Sequence, residues 1–150
     1  MRAIALLSLS FISSVSCICY YPDGGVSNQD VPCTDSANST CCGQGYACLS
    51  NLICMLTAAT PSPVGVTGYI RGSCTDQSWE SDSCPLFCIT QQSPNVNDFI
   101  GYGAVAKCSD RTDDSYYCFD GAINATSCIN GTNLIQFPGM RATNLITALS

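Results

Sequence analysis

The chain has no histidine, and this absence narrows its chemistry more than any residue it contains. Without an imidazole, Ser-His-Asp and Cys-His mechanisms are excluded within the chain. Charge is also scarce, at 11% of residues, with five basic against eleven acidic side chains. Beyond Arg2, the basic residues are Arg71, Lys107, Arg111 and Arg141. An acidic chain without a basic patch argues against nucleic acid and anionic membranes, which both need cations facing phosphate. It argues equally against a membrane-lytic peptide, which needs a cationic amphipathic face. Long apolar runs are missing too. The stretch after Asn130 (GTNLIQFPGMRATNLITALS) is interrupted by Pro138-Gly139 and Arg141. It reads neither as a transmembrane segment nor as an anchor signal.

Cysteine is present in excess, thirteen in 150 residues. The compartment that such a set implies agrees with the start of the chain. Met1 and Arg2 are followed by an uncharged apolar run, Ala3 to Val15, with small residues at Ser14 and Ser16. Residues 1–17 therefore read as a secretory signal peptide rather than a buried N-terminal helix. A cut after Ser16 leaves thirteen cysteines, after Cys17 twelve, and after Cys19 eleven. An even set can pair completely in an oxidising compartment, so the mature set is read from Cys19, with Cys17 removed or left unpaired. Three Asn-x-Ser/Thr sequons, at Asn38, Asn124 and Asn130, predict glycosylated surface loops. The expected localisation is secreted, extracellular or cell wall.

The twelve remaining cysteines fall into two groups of six. Cys19, Cys33, Cys41, Cys42, Cys48 and Cys54 form the first; Cys74, Cys84, Cys88, Cys108, Cys118 and Cys128 form the second. All twelve are read as disulfide-bonded. The expected fold class is small, disulfide-rich and mostly β with one short helix, in two six-cysteine modules. Residues 18–56 form the first module and 57–67, with Pro61 and Pro63, a linker. Residues 68–130 form the second module and 131–150 a flexible tail. Tyr21-Pro22-Asp23-Gly24-Gly25 and Cys42-Gly43-Gln44-Gly45 are predicted turns. Tyr46 to Leu49 and Leu52 to Met55 read as a hairpin, and Ile100 to Cys108 and Tyr116 to Phe119 as strands. The helix is expected after Ser83, an N-cap, with Pro85 in its first turn and Cys84, Phe87 and Cys88 on one face.

No constellation reads as catalytic. Glu80 and Asp82 beside Trp79 resemble a glycosidase pair, but residues two apart define no geometry, and Trp79 reads as an apolar anchor. Cys84-x3-Cys88 suits half a zinc site, yet an exported chain favours disulfides. Asp110, Asp113, Asp114 and Asp120 do not follow calcium-loop spacing and read as a solvated loop. Neither a metal nor a cofactor is expected.

The first six cysteines, in the order C…C…CC…C…C, resemble knottin miniproteins and hevein-type chitin-binding modules. That resemblance implies the pairs Cys19–Cys42, Cys33–Cys48 and Cys41–Cys54. The sugar platform of hevein is not reproduced, since Gly43, Gly45 and Ala47 occupy its serine and aromatic positions. Tyr20, Tyr21 and Tyr46 are the candidate binding surface in its place. Three stretches together resemble cysteine-rich secreted or surface proteins of filamentous ascomycete fungi. These are Cys19-Tyr20-Tyr21-Pro22-Asp23-Gly24, then Cys41-Cys42-Gly43-Gln44-Gly45-Tyr46-Ala47-Cys48, then Arg71-Gly72-Ser73-Cys74-Thr75-Asp76 with Trp79 and Cys84-Pro85-x-Phe87-Cys88. The resemblance implies no agreed activity. The expected function is non-catalytic binding of an extracellular protein or cell-wall polysaccharide, effector-like. The alternatives are a chitin- or glucan-binding module and a knottin-type protease inhibitor.

Overall fold

The computed structural model describes residues 17–57, 68–89, 101–119, 128, 130–131, 134–137 and 144–146. Nearly all of the expected leader and linker, with Asn124 and Asp120, lie outside these residues. The described elements are twelve short strands in two antiparallel sheets. Among the described residues no helix is long and apolar enough to cross a membrane.

The first sheet contains β1 (Cys19–Tyr20), β2 (Val26–Ser27), β3 (Asp30–Pro32), β4 (Thr40–Gly43) and β8 (Ser73–Cys74), in the order β2-β1-β8-β4-β3. The turn expected at 21–25 joins β1 to β2. Tyr21 N donates to Gly25 O at 2.7 Å, Gly25 N donates to Asp23 Oδ1 at 2.9 Å, and Gly24 sits at φ 82°. Glycine is needed there because a Cβ disfavours the left-handed region.

The second sheet is built from β5 (Tyr46–Leu49), β6 (Cys54–Leu56), β7 (Tyr69–Arg71), β9 (Gly103–Lys107), β10 (Ser115–Cys118), β11 (Leu134–Gln136) and β12 (Asn144–Ile146). Their order is β11-β10-β9-β7-β6-β5-β12. The predicted hairpin forms with Cys48 opposite Cys54. Its second strand starts two residues later than Leu52, because Leu52 takes φ 66° and the Asn51 carboxamide oxygen accepts from Ile53 N. Residues 131–150 were expected as a flexible tail. Two of their stretches instead pair as strands, β11 on β10 and β12 on β5.

Side chains alternate across a strand, so each face of the second sheet makes its own core. Leu49, Met55, Tyr69, Val105, Tyr116 and Ile135 share one face, and with Ile53, Phe87 and Phe137 they form an apolar cluster. Edge-to-face ring pairs run through it, Tyr69–Tyr116 at 5.4 Å and Tyr116–Phe137 at 6.0 Å between centroids. On the opposite face Cys48, Cys54 and Ile70 pack with Cys33 and Cys42 of the first sheet.

All twelve expected cysteines form disulfides, six in number, each within its own group of six. The pairing implied by the hevein resemblance holds for Cys33–Cys48 and fails for the adjacent pair. Cys19 bonds to Cys41, and Cys42 bonds to Cys54. The reason is the pleat. Adjacent residues of β4 point to opposite faces. The pairing of Tyr20 and Thr40 with Cys74 puts Cys41 on the same face as Cys19. Cys42 points the other way, towards Cys54 of the second sheet.

The strands do not follow the division into two groups. β8, from the second group, lies between β1 and β4 of the first. Gly72 is the single residue between β7 and β8, where the chain crosses from one sheet to the other. The short helix expected after Ser83 is absent, and residues 81–89 form turns. Cys84 is drawn to Cys74 in the first sheet and Cys88 to Cys118 in the second. Two bonds pulling towards different sheets cannot share one helical face, and Cys88 takes φ 53°.

Candidate functional site

The open end of the β3–β4 hairpin and the link from β2 form a surface groove of about 480 Å³. Asn28, Gln29, Val31 and Gln44 line it. The pairing of Asp30 with Gly43 and Val31 with Cys42 puts Gln29, Val31 and Gln44 on one face of the hairpin. All four lining side chains are exposed, and none ionises. Three carboxamides each offer donors and acceptors, beside one aliphatic patch at Val31. Such a lining suits an uncharged, hydrogen-bonding ligand.

The strand carrying the groove is anchored from its other face. Asp30 is buried, and its carboxylate accepts hydrogen bonds from Ser73 Oγ and from Tyr102 OH, the latter at 2.6 Å. Tyr102 packs edge-on against Tyr21 at 5.7 Å, and Ser27 Oγ donates to Tyr21 OH at 3.1 Å. One carboxylate therefore ties β3 to β8 and to the segment before β9. A Cβ at Gly43 would lie 3.0 Å from Tyr102 OH and 3.2 Å from Asp30 Oδ1, so glycine leaves room for this network.

The network has a pH consequence. Burial, and then the hydrogen bond and charge of Asp30, push the Tyr102 hydroxyl far above the ordinary tyrosine value of 10.0. Burial also raises Tyr46 and Tyr116. These hydroxyls hold their protons more tightly folded than unfolded. The stability they add is complete below about pH 10 and is lost as pH rises towards the folded values. The urea midpoint is therefore expected to be flat between about pH 7 and 9 and to fall above about pH 10. The tyrosinate absorbance of these three hydroxyls should appear together with unfolding. A full tyrosinate signal from a protein with an unchanged urea midpoint would contradict this.

The three tyrosines expected to form a binding surface go to three different places. Tyr21 supports the groove strand through Tyr102. Tyr46 is half-buried against the Cys33, Cys42, Cys48 and Cys54 cluster. The carbonyl of Tyr20 accepts from Trp79 Nε1 at 3.1 Å. Trp79 is the expected anchor, 8% exposed and packed on Cys74 and Cys84. Its ring also carries Arg71, whose guanidinium carbon lies 5.6 Å from the centroid. Arg71 is fully buried and donates to Cys88 O at 3.0 Å and Gly101 O at 2.6 Å.

Glu80 and Asp82 are exposed on a loop organised by Asp76. The Asp76 carboxylate accepts from Ser78 N, Ser78 Oγ, Glu80 N and Ser81 N, and these bonds, the Ser78 side chain first, hold its carboxyl below the usual range. Neither described groove is lined by Glu80 or Asp82. Asp113 and Asp114 are paired with Arg111 and Lys107, at 3.0 Å and 2.7 Å. The sulfurs of Cys33, Cys42 and Cys48 lie within 4.8 Å of one another, but all three are in disulfides and offer no thiolate. Cys17 is a free, exposed thiol.

Sequence reasoning passed over Asn28, Gln29 and Gln44 because an exposed carboxamide carries no signal of its own. It passed over Asp30 because burial of a single carboxylate depends on strands far away in sequence.

The loop 34–38 is exposed between Cys33 and Cys41 and carries the Asn38 sequon; Asn130 is exposed as well. A second cleft, of about 290 Å³, lies by Tyr69, Lys107, Tyr117 and Phe119, with Lys107 committed to Asp114. No family model matches the chain, and no curated protein and no solved structure matches it.

Proposed function

We propose that the chain is a secreted, glycosylated, non-catalytic protein that binds an uncharged polysaccharide at or outside a cell wall. The resemblance of its cysteine-rich stretches to secreted or surface proteins of filamentous ascomycetes supports export and implies no agreed activity. The observation that carries the reading is the carboxamide-lined groove of Asn28, Gln29 and Gln44 on a disulfide-locked hairpin. Sugar hydroxyls donate and accept, as carboxamides do, and neither carries charge. Its volume falls in the range of small-ligand sites. Glu80 and Asp82 are exposed and line neither described groove, so they lend no support to a hydrolase.

The test is retention of the mature, oxidised protein on insoluble chitin, β-glucan and cellulose. A Gln29→Ala, Gln44→Ala double variant should lose about thirtyfold in affinity, since each lost hydrogen bond is worth about 1 kcal/mol. Its melting temperature should not change. A Tyr46→Ala variant should lose stability rather than affinity. Absence of retention on every polymer would overturn the polysaccharide reading and leave a protein partner.

A second reading, a protease inhibitor, draws on the loop 34–38. That loop is exposed and pinned at both ends, with Thr34 N donating to Ser39 Oγ at 3.0 Å and Cys33 N to Thr40 O at 2.8 Å. A glycan on Asn38 would cover it, so the two readings exclude one another at this loop.

A further inference from the structure

We propose that Asn38 can receive a glycan only before the Cys74–Cys84 disulfide closes, so that glycosylation and folding compete for one three-residue segment. The inference rests on the reading of the chain as a glycoprotein and concerns Asn38-Ser39-Thr40. Transfer to an Asn-x-Thr acceptor uses the asparagine amide, a pliable backbone and the threonine hydroxyl together. The fold leaves only the first of these available.

Asn38 is exposed. Ser39 is 3% exposed, its N–H donates to Thr75 Oγ1 at 2.8 Å, and its carbonyl accepts from Thr75 N at 3.0 Å. Thr40 is 4% exposed and pairs with Cys74 at the start of β4. Its hydroxyl donates to Ser83 O at 2.7 Å, and its carbonyl accepts from Cys33 N at 2.8 Å. Both backbone groups of Ser39 are thus taken, as are the carbonyl and the hydroxyl of Thr40.

The clamps have a common origin. Thr75 follows Cys74 and Ser83 precedes Cys84, so the two partners of the sequon flank one disulfide. That bond closes a loop with a sequence separation of 10 and brings Thr75 and Ser83 onto the segment together. Before it forms, the sequon is free to adopt the transferase geometry. Afterwards its hydroxyl is buried against Ser83.

The reaction is transfer from a lipid-diphosphate-linked oligosaccharide. A bond forms between Asn38 Nδ2 and the anomeric carbon, and the bond from that carbon to the phosphate oxygen breaks. The lipid diphosphate leaves, and one amide proton passes to a base of the transferase. A glycan already in place projects from the exposed loop and disturbs none of the clamps.

The test uses purified full-length chain made without glycans, oligosaccharyltransferase and a lipid-linked oligosaccharide donor. Three samples are compared: oxidised and folded, reduced and alkylated, and an oxidised Cys74→Ser, Cys84→Ser double variant. Occupancy at Asn38 is read by mass spectrometry. The reduced chain should be modified about tenfold or more faster than the oxidised chain, because the oxidised chain must first open locally. The double variant should approach the reduced chain. Equal rates at Asn38 in oxidised and reduced protein would overturn the inference, as would transfer to Asn124 or Asn130 but not to Asn38 in the reduced chain. Export itself is tested separately, by leader processing in a eukaryotic secretory cell. A failure there would sink the secreted reading and leave this result standing.

Discussion

Replacement of Gly72 by alanine is expected to prevent the oxidised protein from reaching its native disulfide set. A Cβ at this position would lie 1.9 Å from the carbonyl oxygen of Cys41 and 2.8 Å from Cys54 Sγ. Both distances are far inside van der Waals contact, and the nearer atom is backbone. Neither neighbour can give way easily. Cys41 is paired with Pro32 on one side and Ser73 on the other, and is bonded to Cys19. Cys54 is bonded to Cys42 and is fully buried. The constraint is space rather than backbone conformation, since Gly72 is not among the positive-φ glycines. Overpacking of a closed core costs about 1–3 kcal/mol and more where backbone must move, so a loss of about 3 kcal/mol or more is expected. Disulfide mapping after oxidative refolding is the check. A native map and an unchanged melting temperature for Gly72→Ala would refute the close approach of the two sheets at this crossing.

The second large effect is expected at Arg71. Its guanidinium is buried, donates to the carbonyls of Cys88 and Gly101, and lies over the ring of Trp79. Truncation to alanine removes the donors to two part-buried carbonyls, removes the ring contact and leaves a cavity. Two lost charge-assisted hydrogen bonds, a lost cation–π contact and a cavity together cost about 4 kcal/mol. Lysine keeps the charge but has no planar fork to reach two carbonyls at once, so Arg71→Lys should lose about 2 kcal/mol. Urea unfolding followed by Trp79 fluorescence measures both. The ranking Arg71→Ala below Arg71→Lys below wild type is the specific expectation, and equal stability of all three would show that the guanidinium is not what joins the 88 and 101 segments.

Both predictions concern the crossing at residues 71–73, which the sequence marks only as part of the Arg71-Gly72-Ser73-Cys74 stretch, with no structural role attached. In the fold Arg71 is the buried tie of one sheet, Gly72 the contact between sheets, and Ser73 a ligand of Asp30. A residue's environment is set by strands that come from elsewhere in the chain, and a single sequence carries no record of them.

Local features were legible because local physics decides them. The turn at 21–25 follows from the φ freedom of Gly24 and the short reach of Asp23. The Tyr46–Leu56 hairpin follows from two apolar runs around a polar turn. The prevalence of disulfides follows from cysteine number. The helix expected at 84–88 shows the limit of such reasoning. Its periodicity is real, but two disulfides to different sheets outweigh a propensity worth a few tenths of a kcal/mol per residue.

By itself, the sequence determined a small, disulfide-rich β chain, excluded histidine chemistry, and marked Trp79 as an anchor. Tertiary structure alone decided that Cys41 bonds to Cys19 and Cys42 to Cys54, because neighbours in a strand face opposite ways and only the pairing of β1, β8 and β4 says which face is which. It alone brought Asn28, Gln29 and Gln44 into one groove and closed Thr75 and Ser83 over the Asn38 sequon. Each of these depends on contacts between residues distant in the chain, and their register is set by the packing of the whole rather than by any local pattern.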